Sequence, residues 1–99
     1  MTAVEPRFDA VVHAPPRLQI CGLLAAVDSM EFAAVRDTVG VSDSVLSNRL
    51  SALTAAGLIS RTVDEGPPVS VSYALTPAGQ ALIPALEQIS RWAAEHLPR

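Results

Sequence analysis

A chain of 99 residues is long enough for one domain with a modest hydrophobic core. Its net charge of −3 argues against a strongly basic clamp for nucleic acids, although a local positive field would still allow DNA binding. The single cysteine excludes an intramolecular disulfide and a multi-cysteine zinc site. Because the chain has neither an apolar run that could span a bilayer nor an N-terminal secretion signal, we expect a cytoplasmic protein without membrane contact.

The first third of the chain predicts an arm followed by a helix. Residues 1–14 are mixed in character and interrupted by proline, so we expect an N-terminal arm. Pro15 and Pro16 then open a helix, because proline is tolerated in the first helical turn. This helix, with Ile20 and Leu24 in its main ridge, is apolar nearly all round and needs cover on two sides. We expect another subunit to supply the second cover.

A helix-turn-helix follows. We interpret residues 28–31 as a turn and residues 32–39 as a short helix that ends at Gly40. The next helix has a marked start, because the Ser42 hydroxyl can accept hydrogen bonds from the first backbone N–H groups, and it ends at Gly57. Two helices joined by so short a turn have the helix-turn-helix geometry.

The second helix of this pair, residues 43–56, has one apolar and one polar face. Leu46, Leu50 and Leu53 recur at i, i+4 and i+7, which predicts a stripe facing a core. The opposite face is small, polar and nearly free of carboxylates, so it can lie close to a DNA major groove. It consists of Ser44, Asn48, Ser51 and Ala55, with Ser47 and Arg49 on the two flanks.

The remaining sequence predicts a β-hairpin and a long helix. Residues 58–63 and 69–75 alternate and are separated by a glycine-proline break, as in a hairpin. Thr76 and Pro77 then start the last helix. The predicted fold class is mainly α with a β-hairpin wing (α+β). A winged helix-turn-helix domain over 15–76 precedes a dimerisation helix over 77–99.

Several phrases in the chain are similar to those of known winged-helix regulators. They are Val45-Leu46-Ser47-Asn48-Arg49-Leu50, Ala56-Gly57-Leu58-Ile59-Ser60-Arg61, Pro67-Pro68-Val69 and Tyr73-Ala74-Leu75-Thr76-Pro77-Ala78-Gly79. From Phe32 onward the chain resembles the HxlR and MarR groups of bacterial transcriptional regulators, whereas residues 13–20 look like the start of small ArsR-like regulators. The HxlR group usually carries an early cysteine ahead of a Gly-Lys-Trp phrase, and this chain has neither.

The resemblance implies a homodimer that pairs through its first and last helices and binds double-stranded DNA at an inverted-repeat operator. Helix 43–56 enters the major groove in this reading, and repression is the usual mode, with or without a small-molecule effector. The candidate DNA contacts are Ser42, Ser44, Ser47, Asn48, Arg49, Ser51 and Arg61. The candidate dimer contacts are Ile20, Leu24, Leu82, Leu86, Ile89 and Trp92.

Four of the predicted DNA contacts also have a structural explanation. Ser42 can simply cap its helix, Asn48 can be a solvated polar residue, and Arg49 can pair with Asp37 or Asp43. The wing is poor in positive charge, because the segment between Gly40 and Leu75 holds two arginines against three acidic residues, including Asp64 and Glu65 near Arg61. The net charge of −1 there favours a second reading, in which the domain docks another protein instead of DNA.

Other chemistry is not recognisable. The chain has no nucleophile and base at a catalytic spacing and no glycine-rich phosphate loop, so we expect no enzyme activity and no cofactor or metal. Cys21 lies on an apolar helix, which favours an inert buried thiol; a redox switch would require it to be exposed. His13 and His96 stand near the two ends of the chain, where lone histidines usually have neither a metal nor a pH role.

Overall fold

The computed structural model describes residues 15–98. In this range the order is α1 (Pro15–Ala25), β1 (Met30–Glu31), α2 (Phe32–Val39), α3 (Asp43–Ala55), β2 (Ile59–Asp64), β3 (Ser70–Leu75) and α4 (Pro77–His96). The predicted fold class, a winged helix-turn-helix followed by a long helix, is confirmed. The predicted arm over residues 1–14 lies outside the described residues. None of the described helices is long and apolar enough to cross a membrane.

The wing is part of a three-stranded antiparallel sheet with the strand order β1-β3-β2. The hairpin register runs from Ile59 opposite Leu75 to Asp64 opposite Ser70. On the other edge of β3, Met30 pairs with Tyr73. The prediction of a turn over 28–31 is therefore wrong for its last two residues, which form β1. A two-residue strand is too short to show alternation, and it forms only because a distant strand offers a free edge.

The first three helices and the sheet contribute to one hydrophobic core. The core residues are Ile20, Cys21 and Leu24 of α1, Val35 of α2, Leu46, Leu50 and Leu53 of α3, and Ile59 and Tyr73 of the sheet. The predicted apolar stripe of α3 is confirmed. Ile20 and Leu24 are only 0% and 1% exposed. Their predicted role as dimer contacts is wrong, because α1 uses this ridge to pack on its own chain.

The helix ends agree with the signals in the sequence. Gly40 ends α2 with φ +78°, and its N–H donates to Arg36 O at 2.7 Å. The Ser42 hydroxyl caps α3 by accepting from Val45 N at 3.3 Å. Gly57, also at φ +78°, turns the chain from α3 into β2. A side chain at these two positions would be strained, since L-residues rarely adopt such a φ.

The start of α4 is fixed to the turn between α3 and β2. The Thr76 hydroxyl donates to Gly57 O at 2.6 Å and accepts from Gly79 N at 3.2 Å, and Thr76 N donates to Leu58 O at 3.1 Å. Gly79 is buried, and a Cβ there would overlap the Leu58 carbonyl oxygen. This contact, which we call the Thr76–Gly79 junction, requires glycine for close approach of the two backbones and not for an unusual φ.

Replacing the junction glycine tests this packing. Alanine normally stabilises a helix relative to glycine, but we expect Gly79→Ala to destabilise the fold by about 2 kcal/mol, since overpacking against a backbone carbonyl outweighs the helix propensity. The matched control is Gly22→Ala in α1, where a Cβ meets nothing within 4 Å. That variant should be stabilised by about 0.5–1 kcal/mol. Urea denaturation of both variants makes the comparison, and equal effects would contradict the account of the junction.

The buried thiol gives a second prediction. Cys21 is fully buried, and burial raises the pKa of its thiol. We therefore expect alkylation by iodoacetamide at pH 8 to be roughly 100-fold slower in the folded protein than in urea, because only an exposed thiolate reacts. Since the folded-state pKa is the higher one, the stability contributed by Cys21 is complete below the unfolded pKa and decreases as pH rises above it. A Cys21→Val variant should lose this part of the pH dependence, and fast alkylation of the folded protein would show that the thiol is accessible.

Candidate nucleic-acid interface

Helix α3 presents the polar face that its sequence predicts. Leu46, Leu50 and Leu53 anchor one side in the core, while Ser44, Asn48 and Ser51 on the other side are exposed. Anchoring by three leucines fixes the rotation of the helix about its own axis. The outer face is therefore a rigid row of short polar side chains, which is the type of surface that reads base edges in a major groove.

The two serines at the start of α3 contact each other. Ser42 Oγ lies 3.3 Å from Ser44 Oγ while it also caps the helix. Capping accounts for the Ser42 hydroxyl, so only its backbone remains a candidate for phosphate contact at the helix N-terminus. Asp43 lies beside it in the first turn, where its negative charge suits the helix dipole but repels a phosphate.

Arg36 forms ion pairs with Asp37 and Asp43, the two acidic residues that could have paired with Arg49. Its Nε lies 3.1 Å from Asp37 Oδ1, and its Nη1 lies 3.0 Å from Asp43 Oδ1. The hydrogen bonds to Asp43 and then to Asp37 raise the pKa of Arg36. The ion-pair explanation for Arg49 is therefore wrong. Arg36 and Asp37 are adjacent in sequence, yet the long arginine side chain reaches both carboxylates.

Arg49 lies on one flank of α3, in a groove formed with the start of α1. We call this the α1 groove; it measures about 320 Å³ and is lined by Pro16, Arg17, Val45, Asn48 and Arg49. It brings together two of the predicted contacts, Asn48 and Arg49, and adds Arg17. Sequence reasoning missed Arg17, because its approach to α3 depends on how α1 crosses α3 in the fold.

The other flank of α3 faces the sheet across a larger opening. We call this the wing cleft; it measures about 790 Å³ and is lined by Phe32, Ser47, Leu50, Ser51, Thr54, Ala55, Arg61, Val71 and Tyr73. It brings together Ser47, Ser51 and Arg61, all of them predicted contacts. The seven predicted DNA contacts thus divide into the helix start, the α1 groove and the wing cleft.

Arg61 is directed toward the cleft by its place in β2. Side chains alternate along a strand, so Arg61 and Asp64 lie on opposite faces of the sheet. Asp64 Oδ1 instead accepts from Gly66 N at 3.0 Å and holds the hairpin turn. Neutralisation of Arg61 by Asp64 is therefore not supported by this geometry. Sequence reasoning missed Tyr73, which lies directly opposite Arg61 on β3, because only the strand register brings them together.

The predicted dimer contacts on α4 range from packed to exposed. Leu82 packs against the core, and Leu86 is half-buried. Ile89 and Trp92 are 63% and 54% exposed and form an apolar patch with Ala85 and Gln88. The Trp92 ring stacks on His96 at a centroid distance of 5.4 Å, so the patch continues toward the end of the helix. Within residues 15–98 no group of three acidic, histidine or cysteine residues could hold a metal ion.

Known sequences place the chain in a family. Residues 19–99 match the HxlR-like helix-turn-helix family. The chain is 33% identical over 93 residues to the HTH-type transcriptional regulator YvaP of Bacillus subtilis, covering 91% of this chain and 86% of YvaP. It is 34% identical over 68 residues to the regulator Rv3095 of Mycobacterium tuberculosis, covering 69% of this chain and 43% of Rv3095.

Solved structures show the same fold. The reduced form of the transcriptional regulator YodB from B. subtilis superposes with a TM-score of 0.81 at 25% identity, over 89% of this chain and 86% of YodB. A MarR-family regulator from Porphyromonas gingivalis W83 gives a TM-score of 0.77 at 24% identity, over 88% and 85% of the two chains. The relatives are named as transcriptional regulators and not as enzymes, in agreement with the expected absence of catalysis. The chain belongs to the HxlR-like helix-turn-helix family of transcriptional regulators.

Proposed function

We propose that this regulator binds operator DNA as a homodimer, with the outer face of α3 in the major groove. The observation that carries the proposal is the arrangement around α3. Its exposed polar face lies between two openings, and each opening contains an arginine, Arg49 on one side and Arg61 on the other. A helix in the major groove has a phosphate backbone on each side, so arginines on both flanks match what the groove requires.

The roles within this arrangement follow from position. Asn48 and Ser44 point outward, where Asn48 can pair with adenine through two hydrogen bonds. Arg49, on the flank, can reach guanine or a phosphate, and Arg61 contacts a phosphate beside the wing. Ser47 and Ser51 add hydroxyl groups between them. With few arginines in each subunit, the two subunits must act together for useful affinity, which agrees with an inverted-repeat operator.

The apolar patch on α4 supports the homodimer. Ile89 and Trp92 lie on the long terminal helix, and more than half of each side chain is exposed, as in apolar patches that bind a partner. Covering this patch with the same patch of a second copy gives a two-fold interface, and such symmetry sets the two recognition helices at matching half-sites. Repression follows in the cytoplasm where the operator overlaps a promoter, with or without a small-molecule effector.

A second candidate function is a protein-interaction module. The observation that favours it is the charge: Asp37 and Asp43 lie beside the start of α3, and Arg36 alone pairs with them among residues 15–98. A partner protein with a basic surface could use the same polar face. This candidate predicts that no DNA is bound specifically at any ionic strength, which separates it from the operator-binding proposal.

The role of Arg49 gives the first test. We expect Arg49→Ala to weaken binding to the DNA upstream of its own gene by about 10- to 100-fold, the loss typical of one arginine contact to a base. The matched control is Arg91→Ala, which removes an equal charge from an exposed position on α4. Fluorescence anisotropy measures the affinities, and sedimentation checks that both variants keep the wild-type oligomeric state. Wild-type affinity in Arg49→Ala would refute its assignment as a DNA contact.

The α4 patch gives the second test. Ile89→Asp places a carboxylate in the exposed apolar patch. The protomer should still fold, and the dissociation constant of the dimer should rise by at least tenfold. Ala94→Asp is the control, because it places the same group on the opposite side of α4. Sedimentation of both variants at several concentrations measures the effect. A dimer of unchanged stability in Ile89→Asp would exclude the patch as the interface.

A further inference from the structure

The wing cleft contains a tyrosine whose hydroxyl group has no partner in the fold. Tyr73 is only 7% exposed and lines the floor of the cleft. Within the described residues its hydroxyl makes no hydrogen bond. Every fully enclosed polar side-chain atom in these residues does have a hydrogen-bond partner, so the Tyr73 hydroxyl is not fully enclosed. The hydroxyl must therefore be open to the cleft. Because a phenol that only filled the core would be replaced without loss by phenylalanine, the position of this group calls for a ligand.

Arg61 is the charged residue paired with Tyr73 in the wing hairpin. Tyr73 and Arg61 are directly opposite each other in the β2–β3 register. Side chains of such a pair project from the same face of the sheet, with Cβ atoms about 5 Å apart. A guanidinium and a phenol in this relation present several N–H donors and one O–H donor to the same space. An acceptor that could use both groups together is an oxyanion.

The cleft walls favour such a contact. Phe32, Leu50 and Val71 line part of the cleft with apolar surface, which lowers the local dielectric constant relative to bulk water. Hydrogen bonds to an anion are stronger where the local dielectric constant is lowered. On the α3 side, Ser47 and Ser51 offer further hydroxyl groups, whereas the Thr54 hydroxyl already donates to Leu50 O at 2.8 Å. The volume of about 790 Å³ has room for a phosphate together with its adjoining sugar.

We propose that Arg61 and the Tyr73 hydroxyl together bind one oxyanion in the wing cleft, and that on DNA this oxyanion is a backbone phosphate of the strand between α3 and the wing. The proposal rests on the proposed DNA-binding function. Ser51 belongs both to the outer face of α3 and to the cleft, so the cleft opens on the side that α3 presents to DNA. Tyr73 thereby connects the hydrophobic core to the phosphate backbone and fixes the depth at which α3 enters the groove.

Deleting the hydroxyl alone tests the proposal. Tyr73→Phe keeps the ring in the core, and circular dichroism and thermal unfolding confirm that the fold is retained. We expect it to weaken binding about tenfold to both the upstream DNA and an unrelated duplex, as for one lost hydrogen bond to a charged group. Because the phenol is neutral, the salt dependence should stay unchanged, whereas Arg61→Gln should reduce the slope of log K against log salt by about 0.9 for each subunit. The double variant should lose less than the product of the two single losses, since both groups hold the same phosphate.

Matched controls separate this effect from a general loss of hydroxyl or charge. Ser72→Ala removes a hydroxyl from the opposite face of β3, and Arg91→Gln removes a charge from α4; both should bind like the wild type. Wild-type affinity in Tyr73→Phe, with the wild-type protein binding DNA, would overturn the proposal and leave the DNA-binding function standing. No DNA binding by the wild-type protein at any salt concentration would instead overturn the function and the proposal with it.

Inorganic phosphate distinguishes a backbone phosphate from a free anion. When phosphate replaces chloride at constant ionic strength, we expect equal small effects on the wild type and on Tyr73→Phe. Strong competition by phosphate with the wild type, lost in Tyr73→Phe, would overturn the assignment to the DNA backbone and show that the cleft takes a small oxyanion.

Discussion

The Thr76–Gly79 junction is the constraint on which the relative placement of helix, sheet and terminal helix depends. Thr76 holds the carbonyl of Gly57 with its hydroxyl and the carbonyl of Leu58 with its backbone N–H. These carbonyls belong to the turn between α3 and β2, while Thr76 itself follows β3 and caps α4. One residue therefore joins the recognition helix, both strands of the wing and the long helix. The absence of a side chain at Gly79 lets the two backbones approach closely enough for these bonds.

From this junction the geometry of the binding surface follows. The sheet is fixed against one flank of α3, which creates the wing cleft, and α1 packs on the other flank, which creates the α1 groove. Because the three leucines of α3 are buried between these neighbours, the outer face cannot rotate without disturbing the core. In the proposed complex, rigid presentation of short polar groups compensates for the low positive charge, since specificity comes from base contacts and not from net charge.

Local signals in the sequence predicted most of the fold. The caps at Ser42 and Thr76, the glycines after α2 and α3 and the leucine stripe of α3 each depend on residues close in sequence. What could not be predicted depends on tertiary contacts. Met30 joins the sheet only because β3 is there to pair with it. The sequence of an apolar helix does not show whether its own chain or a partner covers it, so the burial of Ile20 and Leu24 within one chain could not be predicted. The same holds at the site, where Arg61 and Tyr73 are twelve residues apart in sequence and adjacent only through the strand register.

We propose that a regulator of negative net charge binds specific DNA through a few arginines on the flanks of α3. The measurement that tests it most directly is a titration of the wild-type protein against the DNA upstream of its own gene at several salt concentrations, with the oligomeric state measured on the same samples. We expect saturable binding of one dimer that resists competitor DNA, with a slope of log K against log salt of about −4 for two arginines in each of two subunits. A folded protein that shows no shift, or that binds unrelated DNA equally well, would contradict it.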